Sequence, residues 1–211
     1  MNYVYNKSLA NCTPSKIREF NSLAAKLNAK YKLTLGEPDF DTPIEIKDAL
    51  IEAVNQNHTR YAPTVGNKNL REEICKFEKR VNKVSYEPDE VLVTTGSTEA
   101  LTAALFTLLN QDDEVIIPIP CYALYEPVIS YCGAKMIPLD TRPDFQISKE
   151  HLEALINNKT KAILLTSPNN PTGTIYDDKT LENIYNIVKN TNILVICDNC
   201  YDQLVYCLLY T

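Results

Sequence analysis

Ala162-Ile163-Leu164-Leu165-Thr166 runs directly into Ser167-Pro168-Asn169-Asn170-Pro171-Thr172-Gly173. The first five residues are too few for a helix and apolar on both alternating sets, which predicts a parallel strand covered on both faces. The seven that follow are turn formers, so the strand ends in a polar loop. The same grammar recurs outward from this stretch. Val91-Leu92-Val93-Thr94-Thr95 leads into Gly96-Ser97-Thr98, and Ile193-Leu194-Val195-Ile196-Cys197 into Asp198-Asn199-Cys200-Tyr201. Val115-Ile116-Ile117 and Lys135-Met136-Ile137-Pro138-Leu139 are further short runs. Between them, apolar residues return every three or four positions: Ile46, Leu50, Val54; Leu70, Ile74, Phe77, Val81; Leu101, Leu105, Leu108; Leu152, Leu155, Ile156; Leu181, Ile184, Val188. Alternating strand and helix patterns with short connections predict an α/β fold, a mostly parallel sheet with helices on both sides in three layers.

Residues 1–40 break this rhythm, offering an amphipathic arm (Ile17, Phe20, Leu23, Ala24, Leu27) and a short strand at Leu33-Thr34-Leu35. The expected division is therefore 1–40 as an arm and small-domain segment, and 41–211 as part of the large domain. The 211 residues are 45% hydrophobic and 23% charged, a composition that excludes disorder, collagen and a small disulfide scaffold. A net charge of −6 offers no sequence-wide attraction to phosphate backbones or anionic lipid, which argues against nucleic acid and membrane partners. No apolar run reaches the length of a membrane span, and the start has no basic segment followed by an apolar one, so the cytoplasm is the expected address.

The seven cysteines, an odd number, form no paired framework of a secreted domain. Cys197 and Cys200 make a C-x-x-C, but the only histidines, His58 and His151, lie far off in sequence, and no metal site is expected. Glycine is scarce: five are present where the usual 7% would mean about fifteen. Four of the five fall in clusters of turn-forming or hydroxyl residues, which marks those clusters for attention.

In sheets of this kind ligands bind beyond the carboxyl ends of the strands. The chain has neither G-x-G-x-x-G nor G-x-x-x-x-G-K-[ST], so dinucleotide and nucleoside-triphosphate fingerprints are missing. Gly96-Ser97-Thr98 stands where a strand passes into a helix; its N–H groups, hydroxyls and helix dipole suit an anion, and equally a plain N-cap. Asp198 follows an apolar run that reads as a central strand, where a carboxylate is costly without a partner; a cationic ligand or the cap of the next helix would each supply one.

Taken together and in order, the motifs resemble those of the class I/II aminotransferases, pyridoxal-phosphate enzymes of the aspartate-aminotransferase type. They are Gly36-Glu37-Pro38-Asp39-Phe40 before Thr42-Pro43, Tyr61-Ala62-Pro63 through Gly66 to Leu70-Arg71, and Thr95-Gly96-Ser97-Thr98-Glu99-Ala100-Leu101. Then come Pro118-Ile119-Pro120-Cys121-Tyr122 with Tyr125, Asn169-Asn170-Pro171-Thr172-Gly173, and Asp198 with Tyr201.

The resemblance implies roles. Gly96, Ser97 and Thr98 cup the cofactor phosphate, Ser97-Thr98 departing from the commoner pairs. Asp198 keeps the pyridine nitrogen protonated, which makes the ring an electron sink. Tyr201 and Asn170 bond the ring oxygen from two sides, and Tyr122 stacks on the ring. Tyr61 reaches the phosphate of a neighbouring subunit, implying a homodimer, and Gly36 lets the backbone approach the substrate carboxylate. The implied reaction moves an amino group between an amino acid and a 2-oxo acid. Another reaction on the same scaffold, such as carbon–sulfur lysis or decarboxylation, and a non-catalytic remnant are the alternatives.

The family's chemistry also needs a lysine that forms a Schiff base and moves a proton. None of Lys159, Lys161, Lys179 or Lys189 matches it. The chain is therefore expected to be an N-terminal fragment, inactive alone, with no catalytic residue of its own and with open strand edges.

Overall fold

The runs Val115-Ile116-Ile117 and Ala162-Ile163-Leu164-Leu165 form the middle of a four-stranded parallel sheet. Its strands are β1 (Glu114–Ile119), β2 (Lys135–Asp140), β3 (Thr160–Thr166) and β4 (Leu194–Asp198), in the spatial order β2-β1-β3-β4. Successive side chains of a strand point to opposite faces. Val115, Ile117, Ala162 and Leu164 accordingly enter one core with Leu105, Tyr125 and Ile129, while Ile116, Ile163 and Leu165 enter the other with Leu152, Tyr176 and Ile184. The first core is roofed by α4 (Ser97–Leu108) and α5 (Tyr125–Tyr131), the second by α6 (Lys149–Leu155) and α7 (Asp178–Val188). Helices on both faces of a parallel sheet make the expected three layers. Each fully buried Leu or Ile contributes about 1.5–3 kcal/mol relative to exposure, and Leu105, Ile116, Ile129, Leu152, Ile163 and Leu164 are all at 0% exposure.

Polar caps set where the helices of the second layer start. Ser148 accepts a hydrogen bond from the His151 N–H at the head of α6, and Asp177 accepts one from the Thr180 N–H at the head of α7. The order of the strands positions the site. From β1 the chain crosses to β2 on one side, then returns past β1 to β3 and β4 on the other. The direction reverses between β1 and β3, and the loops after these strands border the crevice where such sheets take ligands.

This computed structural model describes residues 16–27, 31, 36 and 40–205. They fall into two compact units, one within Pro14–Thr94 and one from Thr95 onward that holds the sheet. The first unit contains α1 (Lys16–Lys26), α2 (Ile44–Asn55), α3 (Lys68–Val81) and a 3-10 turn (Pro88–Glu90). Asn67 caps α3 by accepting from the Asn69 and Leu70 N–H groups. Arg71, buried on α3, donates through Nη1 to the Pro88 carbonyl at 2.6 Å and pairs with Asp89 at 3.3 Å.

Three expectations are corrected. Val91–Thr95 is not a strand: 91–94 pair with no strand among the described residues, and the Val93 N–H donates instead to the Val65 carbonyl. An apolar run becomes a strand only when a neighbour takes its backbone groups. β4 lies not in the centre but at the edge, with Leu194 and Val195 at 40% and 38% exposure, because among the described residues it pairs only with β3. The helix α2 forms as its spacing predicts, yet Ile46, Leu50 and Val54 are exposed; periodicity selects the helix without supplying what covers it. The expected strand Leu33-Thr34-Leu35 lies outside the described residues.

Candidate functional site

Asp198 closes β4 at the carboxyl end of the sheet, half-buried, and its carboxylate is held from inside the protein. Oδ2 accepts a hydrogen bond from the Tyr125 phenol at 2.8 Å, and Oδ1 accepts the Cys200 backbone N–H at 3.3 Å. The Tyr125 hydroxyl lies 2.6 Å from Thr166 Oγ1. Burial, and then the Asp198 carboxylate it faces, push the Tyr125 phenol far above its ordinary range, so it remains a donor.

At the loop after β3 the two asparagines divide their work. Asn169 is buried and staples the loop: its Nδ2 donates to the Pro120 carbonyl at 3.0 Å and to Thr172 Oγ1 at 2.9 Å. Asn170 reaches out, its Nδ2 donating to the Tyr201 hydroxyl at 3.1 Å. The two side chains assigned to one ring oxygen, 31 positions apart in the chain, thus meet. After β1, Tyr122 stands edge-on to Tyr125, with ring centroids 5.5 Å apart and planes at 81°. That contact fixes the Tyr122 ring by an edge-to-face arrangement.

Gly96 precedes α4 at φ 82° and ψ 167°, a region open essentially to glycine alone. It turns the chain so that the 12-residue helix begins at Ser97 with no side-chain cap from Gly96. The Glu99 carboxylate folds back to accept the Thr95 N–H. A cavity of about 300 Å³ opens between α4 and the end of β4, bordered by Ser97, Leu101, Ile196, Asp198 and Cys200. Its volume is at the lower end for small-molecule sites. Ser97 therefore shares a cavity with Asp198. Thr98 does not; it lines a separate depression of about 450 Å³ with Thr95, Thr102 and Phe106.

The remaining assigned residues lie in the other unit, where Tyr61 is fully exposed and, among the described residues, nothing lies within 4 Å of where a Cβ on Gly36 would stand. The thiols near the site are held protonated: desolvation, followed by the Asp198 carboxylate, pushes Cys200 up to about 11, and desolvation raises Cys197. Reactive C-x-x-C pairs run the other way, with a depressed thiol. Among the described residues no three His, Cys, Asp or Glu side chains gather as a metal site.

Sequence reasoning missed Tyr125 and Thr166 as partners of Asp198. The available signal was a hydroxyl residue ending an otherwise apolar strand, at the same end as an aspartate.

Residues 28–209 match the model of aminotransferase class I and II. The chain belongs to that family. It is 35% identical over 208 residues to a probable N-acetyl-LL-diaminopimelate aminotransferase of Bacillus subtilis, covering 98% of this chain and 53% of the relative. It is 36% identical over 196 residues to a probable aspartate aminotransferase of Methanocaldococcus jannaschii, covering 93% and 52%. Among solved structures, the aspartate aminotransferase from Thermus thermophilus with maleate superposes with a TM-score of 0.91 at 32% identity, covering 97% of this chain and 55% of that one. The N-succinyldiaminopimelate aminotransferase from Mycobacterium tuberculosis gives 0.90 at 31%, covering 97% and 54%. The chain thus spans about half the length of the relatives it matches.

Pyridoxal phosphate is the cofactor of these aminotransferases, and the donor set suits it. An anchored carboxylate matches a pyridinium nitrogen, an Asn–Tyr pair matches a ring oxygen, and a glycine-led helix start matches a phosphate.

Proposed function

We propose that this chain supplies the cofactor-holding part of a pyridoxal-phosphate-dependent aminotransferase that moves an amino group between an amino acid and a 2-oxo acid. The observation that carries the reading is one cavity bordered both by the first residue of α4 and by Asp198. A phosphate and a protonated ring nitrogen are the two charged ends of one ligand, and these are the two groups that would receive them. When bound, the cofactor contributes an electron-accepting ring.

The chain's own residues then divide the work. Gly96 and Ser97 offer backbone N–H groups and a hydroxyl to the phosphate, aided by the helix dipole. Thr98 joins them through its N–H group. Asp198 holds a proton at the ring nitrogen. Asn170 and Tyr201 donate to the ring oxygen, the amide through its second N–H and the phenol through its own proton. Tyr122 covers a ring face and keeps water from it. Tyr61 serves the phosphate site of a partner in a homodimer, and the Gly36 backbone approaches the substrate carboxylate. In this reading 1–40 is the arm and small-domain segment and 41–211 belongs to the large domain. No lysine of the chain takes a catalytic role. The setting is cytoplasmic, with neither nucleic acid nor membrane as partner.

Equilibrium dialysis of the purified chain against pyridoxal phosphate tests this. Wild type should take up one equivalent that inorganic phosphate displaces, and Asp198→Ala should keep the phosphate competition while losing about tenfold or more in affinity, as expected for removal of a charge-assisted partner. Equal affinity in wild type and Asp198→Ala would refute the assignment.

A further inference from the structure

Tyr125 is 1% and Thr166 4% exposed, and their hydroxyls lie deep beneath Asp198. Burying a hydroxyl without a partner costs free energy, and here each hydroxyl is the other's partner, 2.6 Å away. Their geometry has a direction. A phenol carries one proton, and toward a carboxylate it can only donate, so the Tyr125 proton goes to Asp198 Oδ2. The contact between Tyr125 and Thr166 must then run the other way, with the Thr166 hydroxyl donating to the phenol oxygen. The result is a one-way chain of two hydrogen bonds that ends on the carboxylate. Such a chain strengthens each of its members.

The surroundings of Asp198 sharpen the point. The titratable groups that face it are Tyr125 from α5, and Cys200 and Tyr201 from the turn after β4, all of them neutral donors with raised proton affinities. No salt bridge to Asp198 occurs among the described residues. Among the described residues, hydrogen bonds from the Tyr125 phenol and the Cys200 backbone N–H hold the Asp198 side chain.

Resting on the reading of Asp198 given above, we propose that Tyr125 and Thr166 are positioning residues for the cofactor: Thr166 donates to Tyr125, Tyr125 donates to Asp198 Oδ2, and the carboxylate is thereby oriented toward the ring nitrogen. Tyr125 also meets Tyr122 edge-on, so a single buried phenol sets both the carboxylate beside the ring nitrogen and the aromatic plate over the ring face.

The test measures binding of pyridoxal phosphate, and of pyridoxine phosphate, whose absorbance band reports whether the ring nitrogen carries a proton and which has no aldehyde to react. Tyr125→Phe keeps the ring and the Tyr122 contact but deletes the donor. It should weaken binding about tenfold and shift bound pyridoxine phosphate toward the nitrogen-deprotonated band at pH 8. Thr166→Val should act in the same direction by about threefold, and Thr166→Ser, which restores the hydroxyl, should recover wild-type binding and spectrum. Thr166→Val and Thr166→Ser also keep the test alive if Tyr125→Phe fails to fold. In a double-mutant cycle, Tyr125→Phe should add little to Asp198→Asn, since both act through one carboxylate. Wild-type affinity and spectrum in Tyr125→Phe and Thr166→Val, or full additivity with Asp198→Asn, overturns the relay. Failure of the wild-type chain to bind either compound would instead strike the cofactor assignment itself.

Discussion

Replacing Gly96 by alanine isolates the backbone's share in building the phosphate end of the site. Gly96 sits at φ 82° and ψ 167°, and a Cβ there meets nothing within 4 Å. No steric repulsion with neighbours enters, and the whole penalty is conformational, about 1–3 kcal/mol for a non-glycine residue in this region. If the loop holds its course, urea unfolding of Gly96→Ala should show that loss in full. If the loop relaxes instead, the loss in the free chain shrinks, but the start of α4 turns from the cavity that Ser97 shares with Asp198. The penalty then reappears as weaker phosphate binding, and 1–3 kcal/mol corresponds to roughly 5- to 150-fold. Measuring unfolding with and without saturating pyridoxal phosphate captures both cases, because a ligand that binds only the folded state adds its binding free energy to stability. The saturated chain should lose about 1–3 kcal/mol whichever way the loop responds. Gly66→Ala is the comparison. Gly66 also has a positive φ, 97°, but its Cβ would lie 2.5 Å from Val93 Cβ, so the variant should lose more stability than Gly96→Ala. A Gly96→Ala chain as stable as wild type both free and saturated would refute the view that this conformation is required.

Leu164, fully buried at the centre of β3, should cost about 2–5 kcal/mol as Leu164→Ala, read from the urea midpoint. Desolvation first, then a neighbouring carboxylate, hold the Cys121 and Cys200 thiols up near 11. Iodoacetamide labelling followed by mass spectrometry should therefore be slow at pH 7 and accelerate toward pH 10; rapid labelling at neutral pH would contradict those environments. Hydrogen bonds from Arg142 hold the Asp140 carboxyl down at about 2 from 3.8. A depressed carboxylate stabilises the fold above its unfolded value and loses that contribution as pH falls through its folded one. The stability gap between wild type and Arg142→Ala should thus be constant above pH 5 and close as the pH approaches 2. The edge of β4 carries exposed Leu194 and Val195 and, among the described residues, has no second strand beside it, a template for pairing, so Val195→Lys should reduce concentration-dependent association in analytical ultracentrifugation.

Short apolar runs pointed to the four strands of the sheet, and to a fifth at Val91–Thr95 that does not form, because a run apolar on both alternating sets has to bury two faces and its length excludes a helix. Three- and four-residue spacing pointed to α2, α3, α4, α6 and α7 but not to the short α5, and the order of polar turns pointed to the family. Asp198 stood out in the sequence because a carboxylate that ends an apolar strand needs a partner, whereas Asn170 and Tyr201 were singled out by the family resemblance, and the structure brings those two side chains together. Sequence could not say that Val91–Thr95 would form no strand or that β4 would stand at an edge, since both depend on which neighbour accepts the backbone hydrogen bonds. Only the resemblance separated Asn169, which staples its loop, from Asn170, which faces Tyr201; residue pattern could not, because adjacent identical residues differ only in the direction the turn gives them. The link from Thr166 through Tyr125 to Asp198 joins three elements 41 and 73 positions apart. Strand pairing brings Thr166 beside Asp198, and the packing of α5 on that sheet delivers the phenol between them. Local pattern carries no distance of that kind, and only the tertiary structure decided it.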